Sequence, residues 1–196
     1  MKYKLIPNHN DYCKAIIFRI PKVANSSFKI LFPHFATKNK GKDLLETKKI
    51  LGEKYDSYFK FAFVRNPWDR VVSCWADKSN PNHAMFWPKS IFNIANGKSF
   101  DEFVNFLKNN AFKKDRHIVP QVFFVPPDID FIGRFENLQE DFNTVCDKIG
   151  IPQQQLPHEN KSNHKHYTEY YDDETREIVG EKYARDIEYF GYKFGE

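Results

Sequence analysis

The chain has 196 residues, 41% of them hydrophobic and 17% aromatic, which is enough to bury one core without disulfides. The 30 Lys and Arg residues exceed the 26 Asp and Glu residues, and the net charge of +4 favours weak attraction of anions over the wrapping of nucleic acid. No apolar run approaches the roughly 20 residues of a membrane span or forms a signal peptide, so we expect a cytoplasmic protein.

Three cysteines are present, Cys13, Cys74 and Cys146. They are odd in number and widely spaced, and none belongs to a CxxC pair. This pattern predicts reduced thiols, and it argues against both a disulfide framework and a zinc site.

The first predicted elements alternate between strands and helices. A buried strand over Ala15 to Ile20 precedes a turn and a helix that Ser26 and Ser27 are expected to cap, and Pro33 ends this helix. An amphipathic helix is expected within residues 37–57. A second core strand, Phe59 to Val64, then runs into a helix that begins at Pro67.

The second half of the chain continues the alternation. Its predicted elements are, in order, a long loop over residues 79–97 that contains Trp87, a helix opened by a Ser99 capping box, a strand from Phe131 to Phe135, a helix from Leu138 to Ile149 stopped by Gly150, and a last helix over residues 172–189. Alternating strands and helices predict a single α/β domain with a mainly parallel sheet flanked by helices.

The turn after the first strand carries candidate phosphate ligands. Lys22 comes first and is followed by Asn25, Ser26 and Ser27. An ammonium group, hydroxyls and the amides at a helix start can converge on one phosphate. The segment lacks glycine and is therefore not a Walker A loop. An ordinary capped helix with a surface lysine is the alternative reading.

The turn after the second strand repeats the arrangement. Arg65 stands at the carboxyl end of the strand, where ligands collect in open α/β sheets, and Ser73 follows eight residues later. A guanidinium and a hydroxyl can bind a second phosphate. Arg65 paired with Asp69, and Ser73 as a buried hydroxyl, is the alternative. Two such turns predict a ligand phosphorylated at two places.

Together these segments resemble the 5′-phosphosulfate loop and the 3′-phosphate motif of sulfotransferases that use 3′-phosphoadenosine-5′-phosphosulfate (PAPS). Further blocks follow in the order found in carbohydrate sulfotransferases of the chondroitin 4-O and HNK-1 type. These blocks are Ser99 to Val104, Asp115-Arg116-His117 with Pro120-Gln121, Asp130 to Leu138, and Tyr170 to Tyr192.

The resemblance implies a P-loop-like α/β fold and transfer of a sulfuryl group from PAPS to a sugar hydroxyl, without a metal. It implies that Lys22, Ser26 and Ser27 hold the 5′ side of PAPS, with Asn25 nearby. Arg65 and Ser73 would then hold the 3′-phosphate. The chain lacks the membrane anchor and the paired cysteines of animal members, which also favours a cytoplasmic location.

The acceptor hydroxyl needs a base, and histidine suits proton removal near neutrality. His117 is the first candidate because Asp115 can orient its ring. His34 is the second and Glu136 the third.

Two other functions stay open from the residues alone. A kinase-like phosphotransferase would share the first turn but needs a Walker lysine and a hydroxyl for Mg²⁺. A noncatalytic module could bind polyanions through the lysines of segments 38–42 and 113–114.

Overall fold

The computed structural model describes residues 7–31, 44–79, 95–109, 115–157 and 165–196. These residues belong to two compact units. The first unit comprises Met1–Arg65 and Phe123–Asn160, and the second comprises Asn66–Val122 and Lys161–Glu196. The single domain that the sequence predicts stays a prediction.

The helices within the described residues are α1 (Asn25–Leu31), α2 (Leu44–Leu51), α3 (Lys54–Ser57), α4 (Pro67–Ser79), α5 (Phe100–Asn109), α6 (Leu138–Ile149), α7 (Asp173–Lys182) and α8 (Ala184–Phe190). Short 3₁₀ turns lie at Gln121–Phe124, Phe135–Asn137 and Tyr167–Tyr170. None of the helices in the described ranges is long and apolar enough to cross a membrane.

The first unit is built on one sheet. Its described strands are β1 (Pro7–Asn10), β2 (Ala15–Phe18), β3 (Phe59–Val64) and β4 (Phe131–Arg134), in that spatial order. β1 runs antiparallel to β2, whereas β2, β3 and β4 are parallel. The predicted α/β class with a mainly parallel sheet is therefore confirmed.

Aromatic side chains join this sheet to its helices. The ring of Phe28 on α1 lies with its centroid 4.7 Å from that of Phe63 on β3 and 6.0 Å from that of Phe142 on α6. All three rings are buried. Because offset and tilted ring contacts add to the burial of apolar area, this cluster holds α1 and α6 against the same face of the sheet.

The second unit is a helical assembly around Trp68. This ring packs in a core with Val72, Phe103 and Val179, which belong to α4, α5 and α7. Its indole nitrogen donates to the carbonyl oxygen of Arg176 at 3.0 Å, so the polar atom of the buried ring is satisfied.

Two predicted helix ends are confirmed by their hydrogen bonds. The Ser99 hydroxyl accepts from the amide of Glu102, and the Glu102 carboxylate accepts from the amide of Ser99, which is the capping box at the start of α5. Gly150 follows α6 with φ 70°, the left-handed conformation that glycine adopts at least cost.

Three predicted boundaries are wrong. α1 begins at Asn25, so Ser26 and Ser27 lie inside its first turn instead of capping it. β2 ends at Phe18, two residues before the predicted end. The carbonyl of Ile20 accepts a hydrogen bond from the Asn25 side chain at 2.7 Å and therefore belongs to the turn.

The single C-terminal helix is the third error. The chain leaves helical geometry at Tyr183, with φ −111° and ψ 22°, between α7 and α8. The buried hydroxyl of Tyr183 donates to the carbonyl of Ile118 at 2.8 Å. β1 was also missed, because its sequence is polar and it is defined only by its pairing with β2.

The three cysteines are free thiols, as predicted. Cys74 and Cys146 are buried, and Cys13 is partly exposed. Burial raises the pKa of the Cys146 thiol, which favours its protonated form.

Replacing Gly133 in β4 by alanine should destabilise the first unit. A Cβ atom there would lie 2.4 Å from Cε1 of the buried Phe63 ring. We expect the free energy of unfolding to fall by about 1–3 kcal/mol in urea titrations, because the packed ring must shift. Gly180→Ala is the matched control: its Cβ would meet Trp68 at 3.5 Å, and alanine within α7 should be neutral or stabilising by up to about 1 kcal/mol. Equal results for the two variants would contradict the packing argument.

Candidate functional site

The turn between β2 and α1 has a constrained backbone. Lys22 and Ala24 adopt positive φ angles of 71° and 44°, although neither is glycine. Each such residue costs about 1–2 kcal/mol, and strain of this kind is found at ligand-binding turns that the surrounding structure holds in place. Val23 is buried, and the Asn25 amide closes the turn onto Ile20. The backbone that carries Lys22 is thus held from both ends.

Arg65 connects this turn to the end of β3. Its side chain is only 7% exposed, its Nη1 donates to the carbonyl oxygen of Lys22 at 3.3 Å, and its guanidinium lies 4.0 Å from the ring centroid of Phe135. Parallel pairing of β2 with β3 brings the two strand ends to the same edge of the sheet. The structure therefore brings together Lys22 and Arg65, the two cations that the sequence singled out.

The hydroxyl and amide candidates have different surroundings. Ser26 is exposed, whereas Ser27 is 5% exposed and its hydroxyl donates to the carbonyl of Pro157 at 2.8 Å. The proton of Ser27 is thus committed to the protein, and Asn25 serves the turn itself. Ser73 is buried on α4 in the second unit, and its predicted role in binding the 3′-phosphate together with Arg65 stays a prediction.

Arg19 follows β2 directly and was not predicted as a site residue. Its Nε and Nη2 atoms are buried and have no hydrogen-bond partner among the residues that the structure describes. Burial lowers the pKa of this guanidinium. With Lys22 and Arg65, it gives the carboxyl ends of β2 and β3 three cations, and such a set suits an anionic ligand. Its signal in the sequence is a lone cation inside an apolar run.

The base candidate His117 lies in the second unit next to an aspartate. Its Nδ1 is 2.5 Å from Oδ1 of Asp115, and the amide of His117 donates to the same oxygen at 2.8 Å. The side chain is 17% exposed. A carboxylate at Nδ1 selects the neutral tautomer that is protonated there, so Nε2 is left as the proton acceptor. This is the orientation that a general base needs.

Two buried charged residues, Arg70 and Asp186, hold the segment that contains His117 through hydrogen bonds to its backbone. Arg70 on α4 donates to the carbonyls of His117 and Val119, at 3.1 and 2.9 Å. Asp186 on α8 accepts from the amides of Gln121 and Val122, at 2.7 and 3.0 Å. Burial raises the pKa of the Asp186 carboxyl, and the charge of Arg70 opposes that rise. Sequence reasoning missed both residues. Arg70 lies three and four residues before the buried Ser73 and Cys74, and this helical spacing could have indicated that Arg70 is buried.

The remaining candidates are less defined. His34 lies outside the described residues. Glu136 is exposed in the 3₁₀ turn after β4. Within the described ranges, no group of three or more His, Cys, Asp or Glu side chains is placed to hold a metal ion.

A mainly parallel α/β sheet with cations at the ends of neighbouring strands defines an α/β protein suited to anionic ligands. The chain belongs to the sulfotransferase family, whose family model matches residues 8–193. The predicted family is thereby confirmed at this level.

Individual relatives agree with this assignment. The chain is 27% identical to human carbohydrate sulfotransferase 9 over 89% of its length and 43% of that protein. It is also 27% identical to Xenopus laevis carbohydrate sulfotransferase 10, over 72% of this chain and 49% of that protein. An uncharacterized protein of Archaeoglobus fulgidus is 32% identical over 53% of the chain and 78% of its own length. The chain thus spans less than half of either carbohydrate sulfotransferase. No solved structure matches it significantly.

Replacing Arg70 by methionine should destabilise the second unit by about 3–5 kcal/mol, because two carbonyls would lose their donor and the buried carboxylate of Asp186 would lose a favourable positive charge. The pKa of Asp186 would rise further in the folded variant. A folded pKa above the unfolded value means that stability is greatest at acid pH and falls as the pH rises through the folded pKa.

Urea titrations at mildly acidic and at neutral pH measure both effects. Arg176→Met is the matched control, since this exposed arginine pairs with Asp173 at 3.1 Å and should contribute less than about 1 kcal/mol. The assignment would be wrong if the two variants lost equal stability, or if Arg70→Met became more stable with rising pH.

Proposed function

We propose that the chain is a carbohydrate sulfotransferase of the chondroitin 4-O and HNK-1 type, transferring a sulfuryl group from PAPS to a sugar hydroxyl. Family membership and the names of the human and Xenopus relatives support the reaction class. The contact between Arg65 and Lys22 carries the donor assignment. It joins the two strand-end turns, as a nucleotide with phosphates at both its 3′ and 5′ positions would require.

PAPS supplies an activated sulfuryl group and leaves as the 3′,5′-bisphosphate. Lys22 stabilises the negative charge that builds on the bridging oxygen, and fixed cations of this kind contribute a few kcal/mol to such steps. The exposed hydroxyl of Ser26 contacts the 5′ side of the nucleotide. Arg65 and Ser73 bind the 3′-phosphate. The scheme requires no metal ion.

His117 acts as the base in this proposal. Asp115 holds Nδ1 and therefore directs Nε2 toward the acceptor hydroxyl proton. Asn25 and Ser27 act through the turn, because their described hydrogen bonds go to Ile20 and to Pro157. His34 and Glu136 remain the second and third candidates for the base.

Transfer of label from ³⁵S-PAPS to a panel of glycans tests the reaction, and titration with 3′-phosphoadenosine-5′-phosphate (PAP) tests the donor site. We expect saturable PAP binding and label in at least one glycan. A preference for ATP with Mg²⁺ would indicate a phosphotransferase instead. If the protein bound no nucleotide saturably, the remaining alternative would be a noncatalytic module that binds polyanions.

Replacing Arg65 by alanine should weaken PAP binding about 10- to 100-fold, because a charged hydrogen-bond donor is worth about 1.5–3 kcal/mol. Binding of the glycan acceptor should change much less. Isothermal titration calorimetry with each ligand separates the two effects. Lys54→Ala, which removes an exposed cation of the same unit, should leave both affinities unchanged. Equal losses for PAP and acceptor would remove the donor role of Arg65.

Replacing His117 by alanine should lower kcat by about 10²- to 10⁴-fold and leave PAP affinity nearly intact, because a general base acts only on the acceptor proton. Asp115→Asn should lower kcat less. The control is His9→Ala, which removes a histidine that also lies beside an aspartate, Asp11, at 3.7 Å but belongs to β1. If His117→Ala turned over at the wild-type rate, the base would have to be His34 or Glu136.

A further inference from the structure

Arg19 is a partly buried cation, and neither the described hydrogen bonds nor the proposed reaction uses the Nε and Nη2 edge of its guanidinium. It comes directly after β2, whose last residue Phe18 pairs with Ala62 of β3, and it precedes Lys22 by three residues. Two of its guanidinium nitrogens, Nε and Nη2, are buried and lack a hydrogen-bond partner in the described part of the chain. Arg19 therefore lies at the strand ends where Lys22 and Arg65 meet.

The two buried arginines of the described residues, Arg65 and Arg70, both have hydrogen-bond partners. Arg70 donates to two carbonyls, and its charge opposes the rise in the pKa of the buried Asp186 carboxyl. Arg65 donates to the carbonyl of Lys22 and stacks on Phe135. The pKa of Arg19 is lowered by burial alone, and no nearby carboxylate raises it again.

An unpaired buried donor of this kind destabilises the folded chain, since its nitrogens lose their hydrogen bonds to water and gain none in return. Nε and Nη2 of arginine form one edge of the guanidinium, and two parallel N–H groups on that edge match two oxygens of a phosphate, sulfate or carboxylate. An oxyanion would therefore fit this edge, and the described residues do not supply one.

We propose that Arg19 binds an oxyanion carried by a substrate, either the phosphosulfate group of the donor or an acidic group of the glycan acceptor. The inference extends the proposed function and rests on it for the identity of the two substrates. In this assignment Arg19 forms a set of three cations with Lys22 and Arg65. It destabilises the ligand-free protein and increases the affinity for an anionic ligand.

Arg19→Met separates these two effects, because methionine keeps an unbranched chain and removes the charge and the donors. We expect the thermal midpoint of the ligand-free variant to rise by about 2–4 °C. We expect affinity for at least one anionic substrate to fall about 10- to 100-fold. Arg19→Lys keeps the charge without the two-pronged edge and should give an intermediate loss. Lys49→Met, which removes an exposed cation of α2, is the matched control for net charge.

Calorimetric titrations use three probes: PAP, an acidic chondroitin tetrasaccharide and the neutral chitotetraose. Weaker binding of PAP assigns Arg19 to the donor, and weaker binding of only the chondroitin tetrasaccharide assigns it to the acceptor. Affinities for both anions within threefold of wild type would overturn the proposal, as would equal losses in Lys49→Met. If Arg19→Met does not fold, the same thresholds apply to Arg19→Lys.

Failure of the proposed function has a different signature. A wild-type protein that binds no PAP refutes the donor assignment, while the chondroitin arm and the ligand-free thermal midpoints still decide on Arg19. Wild-type protein that binds neither anion refutes both.

Discussion

The hydrogen bond from Arg65 to the carbonyl of Lys22 is the constraint on which the candidate donor site depends. It is possible because β2 and β3 pair in parallel, which brings the turns after both strands to the same edge of the sheet. Phe135 covers the flat face of the guanidinium and leaves only its edge for polar contacts. A planar cation with one face stacked has few orientations left, so the positions of the two turns are coupled.

Arg70 and Arg19 differ in whether the described residues compensate their positive charge. Arg70 donates to two backbone carbonyls and its charge acts on the buried carboxylate of Asp186, and these interactions hold the main chain around His117. Arg19 receives no such compensation within the described residues. A buried cation with hydrogen-bond partners is costly to remove, whereas an uncompensated cation is costly to keep, so the first indicates a structural role and the second a ligand.

At the amino ends of the parallel strands, two carboxylates have hydrogen-bond donors of their own. Asp130, just before β4, accepts from the amide of Lys60 at 2.7 Å and lies 3.4 Å from its ammonium group. The Tyr58 hydroxyl donates to Asp11 at 2.8 Å, and burial together with this carboxylate raises the pKa of Tyr58 to about 12. Carboxylates at the amino ends of the strands are thus engaged with donors of their own, away from the carboxyl ends that Lys22 and Arg65 occupy.

The sequence alone was sufficient for features that are encoded locally. Apolar runs and alternation of element types predicted β2, β3 and β4, and the ordered motifs indicated the sulfotransferase family. Only the tertiary structure decided features that need a partner distant in sequence: the polar strand β1, the break at Tyr183, the commitment of the Ser27 hydroxyl to Pro157, and the absence of a described partner for Arg19. The physical reason is that periodicity reports which face of an element is buried, whereas hydrogen-bond partners and uncompensated charge depend on which other elements pack against that face.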